Sequence, residues 1–68
     1  MTPKEKAKEL VDNIFQILVQ RGEHHYTFDY TKQCALLAAE NIRTEMVQAQ
    51  NYERAIYWRD VKSQIRIL

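Results

Sequence analysis

The side chains best suited to catalysis or metal binding lie in and just after one short interruption of a helical pattern. His24 and His25 fall within the segment 22–30 (GEHHYTFDY), and the thiol of Cys34 follows it. A zinc site needs three or four ligands, and a cysteine nucleophile needs a base and a group that orients the base. The spacing matches no familiar ligand set, and no third group is positioned. The sequence therefore favours a solvated histidine pair and a buried cysteine over a metal site or a catalytic pair.

Aromatic residues that lie near cations indicate a second kind of chemistry. Aromatic rings stack on nucleobases, contributing ~1–3 kcal/mol per base, and arginine binds phosphate through two parallel hydrogen bonds. Six residues are predicted to bind a nucleotide-like anion in this way: His25, Tyr26, Tyr30, Tyr52, Arg54 and Arg59. If two copies pack antiparallel, the regions around Tyr30 and Tyr52 of the two subunits could meet and bring these side chains together. The alternative is that the tyrosines fill the core of an oligomer.

Paired carboxylates and phosphate-binding loops, which are common in active sites, are not evident in the sequence. Glu40 and Glu45 are five residues apart and so diverge on a helix, and Gly22 is the single glycine. A chain of 68 residues also encloses little volume away from water. We therefore expect a protein that is not an enzyme and that has no cofactor and no bound metal.

The composition argues against several classes of protein. Ten basic and nine acidic residues give a net charge of +1, which is not typical of general nucleic-acid binders. A stripe formed by Arg59, Lys62 and Arg66 could still meet phosphate or an acidic protein. The connector over 22–28 is too long for a helix-turn-helix, so specific DNA binding is not expected. No apolar run approaches the roughly 20 residues that span a bilayer, and a single cysteine suits a reducing cytoplasm.

The first helix has a clear start signal. Thr2 is the expected N-cap, Pro3 the first helical residue, and Glu5 the partner of Thr2 in a capping box. The helix is predicted to end at residues 21–22, where arginine and glycine suit a helix C-terminus, and a loop is predicted over 23–28. The apolar face of this helix is predicted to contain Ala7, Leu10, Val11, Ile14, Phe15, Ile17, Leu18 and Val19.

Two further helices are predicted in the remainder of the chain. Asp29 is the expected N-cap of the second, which ends near Gln50, and Asn51 is the expected N-cap of a third that ends near Ile67. Because no glycine or proline separates them, one continuous helix over 29–67 is an alternative. The predicted apolar faces are Ala35, Ala38, Ala39, Ile42, Met46 and Ala49 in the second helix, and Tyr57, Trp58, Val61, Ile65 and Leu68 in the third.

These patterns predict an all-α fold with a single helical domain over 1–68. The expected arrangement is an antiparallel helical hairpin followed by a short third helix (or a continuous second helix). The third helix also carries a second apolar face, which a monomer of this size cannot bury together with the first. We therefore expect a homo-oligomer, whose interface is predicted to contain Leu36, Val47, Tyr52, Ile56 and Ile67.

Three segments also resemble a known group of sequences: TPKEKAKELVD at 2–12, KQCALLAAENI at 32–42 and YWRDVKSQI at 57–65. They are similar to a family of small uncharacterised helical proteins encoded by bacteriophages and by mobile elements of gut bacteria. That family shares a TPKEKAxEL opening, a KQCALxA middle and a YWxxVKxEI ending, although Gln64 stands here where an acidic residue is common. The resemblance implies expression in the cytoplasm of a bacterial host, and it implies no specific activity.

Genes of that kind often encode inhibitors of host defence, including proteins that sequester nucleotide signals. The first functional hypothesis is therefore a non-enzymatic binder that sequesters a nucleotide-like anion at an oligomer interface. The second is a protein-interaction module whose free apolar face binds and inhibits a host protein. The third is a helical oligomer that has only a structural role.

Overall fold

A computed structural model describes residues 1–20 and 28–68. It contains three α-helices in this part of the chain: α1 over Pro3–Gln20, α2 over Phe28–Gln48 and α3 over Tyr52–Arg66. The described residues form no strand. The prediction of an all-α fold is confirmed. The alternative of one continuous helix over 29–67 is wrong, because α2 ends at Gln48 and α3 begins at Tyr52.

The predicted capping box at the start of α1 is present. The backbone amide of Glu5 donates to the hydroxyl oxygen of Thr2 at 3.2 Å, and the amide of Thr2 donates to the Glu5 carboxylate at 3.2 Å. The Thr2 hydroxyl also donates to this carboxylate, and these hydrogen bonds lower the pKa of Glu5. The first turn of α1 is thus set by residues that are adjacent in the sequence.

The break between α2 and α3 results from two residues that act in succession. Gln50 has a φ of 61°, which places it in the left-handed region. The amides of Gln50 and Asn51 donate back to the carbonyls of Val47 and Met46, the pattern of a Schellman motif. The side chain of Asn51 then accepts a hydrogen bond from the amide of Arg54, so the predicted N-cap is confirmed. A glutamine thus occupies a position where glycine is usual.

The second helix begins slightly earlier than predicted. Its first residue is Phe28, so Asp29 lies in the first turn and not at the N-cap position. A carboxylate in the first turn still interacts favourably with the helix dipole. The predicted end of α1 at residues 21–22, and all but the last residue of the loop predicted over 23–28, lie outside the described residues.

Small residues dominate the contact between the three helices. Ala7, Ala35 and Ala39 are fully buried, and alanine lets neighbouring helix backbones approach closely. The larger buried residues of the same cluster are Val11, Trp58, Val61 and Ile65, with Leu10, Ile14, Leu36, Ile42, Met46 and Tyr57 partly buried against them. The predicted faces are confirmed at these positions except Leu36, whereas Phe15, Ile17, Ala49 and Leu68 are exposed.

Leu36 differs from its prediction. It was expected apart from the main apolar face of its helix, at an interface between copies, yet it packs against the buried cluster. The side of α2 that carries Leu36 faces α3, as a neighbouring hydrogen bond from Lys32 to the carbonyl of Arg66 shows. Helix α3 therefore covers Leu36, although the helical pattern of α2 alone places this residue apart from the main apolar face.

Polar contacts define how the helices are paired. Near the start of α2, Lys32 bonds to the carbonyl of Arg66 at the end of α3, and further along α2 the Glu40 carboxylate pairs with Lys62. These contacts make α2 and α3 antiparallel neighbours. The start of α1 lies beside the first half of α3, where the Tyr57 hydroxyl donates to the carbonyl of Met1 at 3.1 Å. The hairpin of α1 and α2 stays a prediction, because their connection is outside the described residues.

Two substitutions in the turn between α2 and α3 should change the free energy of unfolding in opposite directions. Asn51→Ala removes the N-cap acceptor and should lower the free energy of unfolding by ~1 kcal/mol, or roughly 4–8 °C in Tm for a domain of this size. Gln50→Gly relieves the left-handed backbone and should raise the free energy by about 0.5–1 kcal/mol. Thermal denaturation followed by circular dichroism measures both changes. A destabilising Gln50→Gly would contradict the described turn.

Candidate functional site

A cleft between α1 and α3 combines cations with aromatic rings. It is lined by Met1, Lys6, Arg54, Tyr57 and Trp58 and has a volume of about 270 Å³. We call it the N-terminal pocket, because it lies at the beginning of both helices. Three of its residues lie on α3 at spacings of three and four, which places them on one face of the helix. The Asn51 cap fixes where that face begins.

Arg54 is the principal cation of the N-terminal pocket. Its guanidinium lies 5.3 Å from the centre of the Tyr57 ring, within the range of a cation–π interaction. No carboxylate among the described residues forms an ion pair with this guanidinium. Its hydrogen-bond donors are therefore available to an external anion, while the tyrosine ring restricts its position.

Lys6 provides a second positive charge that is partly compensated. Its ammonium lies 6.0 Å from the centre of the Trp58 ring and also pairs with the Glu9 carboxylate at 3.1 Å. Such i,i+3 ion pairs at partly exposed positions are weak, because water screens them. Lys6 can therefore exchange Glu9 for a ligand at little cost, but it contributes less net charge to the pocket than Arg54.

The two aromatic rings of the pocket have different roles. Tyr57 and Trp58 are in a T-shaped arrangement with ring centres 5.7 Å apart, and the Tyr57 hydroxyl is committed to the carbonyl of Met1. Trp58 is only 6% exposed and belongs to the buried cluster. Its indole Nε1 is buried and has no hydrogen-bond acceptor within the described chain. Leaving such a donor unpaired costs about 1–3 kcal/mol.

The structure places the six predicted binding residues in different regions. Arg54 lies in the N-terminal pocket. Arg59 is about 140° away from it around α3 and pairs with Asp60. Tyr52 is exposed at the start of α3, whereas Tyr30 lies at the start of α2, which contacts the opposite end of α3. His25 and Tyr26 are outside the described residues. A single chain does not bring the described four together, and their assembly by two copies stays a prediction.

A second cavity lies near the other end of the bundle. It has a volume of about 400 Å³ and is lined by Asp29, Lys32, Gln33, Leu36 and Arg66. Lys32 donates to the carbonyls of Arg66 and Leu68, at 3.0 and 3.3 Å, and lies 6.0 Å from the ring of Phe28. Its ammonium is thus used to cap the C-terminus of α3, which leaves this cavity less suited to an anion than the N-terminal pocket.

Part of the basic stripe on α3 is engaged within the chain. Arg59 pairs with Asp60 at 3.2 Å, and Lys62 pairs with Glu40. Glu40 also binds Arg43 through two hydrogen bonds of 2.6 and 3.0 Å. These contacts reduce the field that the stripe presents to phosphate or to an acidic protein. Its role in binding a partner remains a prediction.

Residues 1–20 and 28–68 contain no group of three histidine, cysteine or acidic side chains that could hold a metal ion. The predicted histidine pair falls outside them, and Cys34 is a free, partly buried cysteine. None of the three helices combines the length and the apolar character needed to cross a membrane.

Comparison with other proteins adds no constraint to these observations. No protein-family model, curated protein or solved structure matches the chain significantly.

Sequence reasoning missed four residues of the N-terminal pocket: Met1, Lys6, Tyr57 and Trp58. Lys6 was interpreted as part of a solvated charged face, and the two aromatics as core residues. The spacing of Arg54, Tyr57 and Trp58 was a visible signal, since these residues share one face of a helix. The contribution of α1 carried no such signal, because it depends on how two helices distant in sequence pack.

Glu40 links α2 and α3 and makes stability depend on pH. Hydrogen bonds from Arg43 and Lys62 lower the pKa of the Glu40 carboxyl from its ordinary value near 4.5 to about 2. A carboxyl whose pKa is lower in the folded state stabilises the fold above about pH 4.5 and loses this contribution as the pH falls towards 2. Glu40→Gln should therefore destabilise the protein at pH 7 and have little effect near pH 2.

Urea denaturation between pH 2 and pH 7 measures this difference. Glu45→Gln is a matched control, because Glu45 lies on the same helix and forms no ion pair with a described residue. Its effect on the midpoint should vary much less with pH. A Glu40→Gln effect of equal size at every pH would show that the ion pairs contribute nothing to folding.

Proposed function

We propose that this protein is a non-enzymatic binding protein that sequesters a nucleotide-like anionic small molecule. The observation that carries the proposal is the guanidinium of Arg54, which has no carboxylate partner among the described residues and is positioned over the Tyr57 ring. An arginine held in this way can bind phosphate with two hydrogen bonds, and its position limits the entropy lost on binding. The ammonium of Lys6 supplies a second charge on the same pocket.

The volume of the N-terminal pocket limits what one chain can enclose. At about 270 Å³ it lies just below the range of ~300–1,000 Å³ that is usual for small-molecule sites, so it covers a phosphate and part of a nucleoside. We propose that a second copy covers the rest, which is the oligomeric site predicted from the sequence. Tyr30, Tyr52 or Arg59 of that copy would then contribute to the ligand. His25 and Tyr26 belong to the same prediction.

The biological setting of the proposal comes from the family resemblance. Small proteins of bacteriophages and mobile elements act in the cytoplasm of a bacterial host, where a nucleotide signal of host defence is the matching ligand class. Sequestration requires binding without chemical conversion. The N-terminal pocket suits this role, because the described residues that line it carry cations and aromatic rings but no carboxylate, imidazole or thiol that could act as base or nucleophile.

Thermal stabilisation by ligand tests the proposal. Nucleoside monophosphates and their cyclic forms should be screened, and at 100 times Kd a true ligand raises the free energy of unfolding by ~2.7 kcal/mol, or roughly 10–20 °C in Tm. Arg54→Gln should abolish most of this shift and leave the Tm without ligand nearly unchanged, because Arg54 is exposed. Differential scanning fluorimetry measures both values.

Lys8→Gln is the matched control for charge, since it removes one exposed cation of α1 that does not line the pocket. It should keep the full ligand shift. If Arg54→Gln keeps the shift as well, the ligand binds elsewhere. If no nucleotide shifts the Tm of the unmodified protein, the nucleotide class is wrong.

A second candidate function, protein interaction, is favoured by the outer face of α3. Tyr52, Ile56 and Ile67 lie on the side of α3 away from the buried cluster and are 60%, 50% and 75% exposed. Apolar side chains that share one face of a helix mark a contact surface. We propose that a second copy occupies this surface, together with the exposed Val47. A host protein is the alternative occupant.

The outer face of α3 is tested by Ile56→Asp. A half-exposed side chain contributes little to the core, so the variant should remain folded while any oligomer dissociates. Native mass spectrometry reports subunit number, and circular dichroism reports folding. Asn41→Asp introduces the same charge at an exposed position of α2 and should leave the oligomer intact. A monomeric parent protein would exclude self-association, and an oligomer that survives Ile56→Asp would place the interface elsewhere.

A further inference from the structure

The indole of Trp58 has a donor that the fold does not use. Its Nε1 is buried, and no acceptor among residues 1–20 and 28–68 lies within hydrogen-bond distance. Buried donors are nearly always paired in folded proteins, because each has lost its hydrogen bonds to water. An unpaired buried donor is therefore a group to which an acceptor on a ligand would bind favourably.

The surroundings of this donor indicate the chemical nature of the missing acceptor. Trp58 lines the N-terminal pocket together with the guanidinium of Arg54 and the ammonium of Lys6. The Tyr57 hydroxyl already donates its hydrogen to the carbonyl of Met1, so it has no donor left for a ligand. The hydrogen-bond donors that these side chains still offer are the indole N–H, the Arg54 guanidinium and the Lys6 ammonium, and the last two are charged. A group with several negatively charged oxygens complements this set, and phosphate is the common biological example.

We propose that Trp58 is a ligand-binding residue whose indole N–H donates to a phosphate oxygen of a nucleoside monophosphate held in the N-terminal pocket. The inference rests on the proposed function and extends it by naming this residue and the ligand group that it binds. Arg54 binds the same phosphate, and Lys6 neutralises part of its charge. The nucleoside extends out of the pocket, because about 270 Å³ does not enclose both parts.

Access to the donor requires a side-chain movement. The indole Nε1 is inaccessible in the structure, so a phosphate oxygen reaches it only when a lining residue is displaced. Met1 is 70% exposed and its carbonyl is held by one hydrogen bond from Tyr57. Lys6 has a long, flexible side chain. Rearrangement of either residue leaves the buried cluster intact, so binding is compatible with the folded bundle.

The single tryptophan makes the donor directly observable. In a ¹⁵N-labelled sample of the full chain, Trp58 gives one indole N–H signal. Adding AMP should move its proton downfield, as expected for a new hydrogen bond to a charged acceptor, and should also shift the backbone amides of Arg54 and Tyr57. Inorganic phosphate should move the indole signal in the same direction at higher concentration. Adenosine, which has no phosphate, should not move it.

Two further outcomes separate this inference from the proposed function. If AMP shifts the amides of Arg54 and Tyr57 but not the indole signal, the pocket binds AMP without Trp58 and only this inference fails. If AMP, phosphate and adenosine leave every pocket signal unchanged at millimolar concentration, the proposed anion site fails as well. An indole shift with adenosine equal to that with AMP would assign the contact to the nucleoside and overturn the phosphate assignment.

Trp58→Phe provides an independent measurement, because it keeps an aromatic ring in the core and removes the N–H. AMP should bind this variant roughly tenfold more weakly, the loss expected for one hydrogen bond to a charged group. Unchanged affinity in a folded variant would exclude the donor. If the variant does not fold, the indole signal of the unmodified protein decides the question alone.

Discussion

The close approach of three helices through alanine is the constraint on which the rest of this structure depends. Ala7, Ala35 and Ala39 are fully buried where the helices meet, and Ala55 is nearly so. Because these side chains are small, the helices lie close together, and the space between them holds few large residues. Trp58 is the largest side chain of the buried cluster, and several large apolar residues, such as Ile56 and Ile67, remain at the surface. Both candidate functional surfaces thus follow from the geometry that makes the bundle compact.

Trp58 belongs to the buried cluster and also lines the N-terminal pocket, so one side chain is shared by the core and the candidate site. A residue that packs the core is held in place by its neighbours, and the indole Nε1 of Trp58 is itself buried in the structure. Arg54 is restrained in a different way, by the ring of Tyr57. The pocket therefore combines a wall formed by α3 with the side chain of Lys6 from α1.

Local features of the fold could be predicted from the sequence, since each depends on a few adjacent residues. The capping box of Thr2 and Glu5 and the N-cap at Asn51 are of this kind. The break before Asn51 could not be decided in advance, because Gln50 takes a backbone conformation that is usual for glycine. The place of Leu36 was misjudged for another reason. Only the packing of α3 against α2 determines which side of α2 is covered.

The candidate site was predicted only in part. Arg54 was identified by its type, as a cation near aromatic residues, and it does line a pocket. Its partners Lys6 and Trp58 were assigned other roles, because each has an ordinary explanation within its own helix. Their proximity depends on the packing of α1 beside α3, and no pattern within either helix encodes that. Helix periodicity shows which residues share a face, and contacts between helices show which faces meet.

The two ends of the chain are held at opposite ends of α3. Met1 accepts a hydrogen bond from Tyr57 in its first half, whereas Leu68 accepts one from Lys32 beside its C-terminus. The bundle is 40 Å in its longest dimension. A purification tag or surface anchor fused before Met1 would therefore crowd the mouth of the N-terminal pocket. The same attachment placed after Leu68 would leave that mouth open.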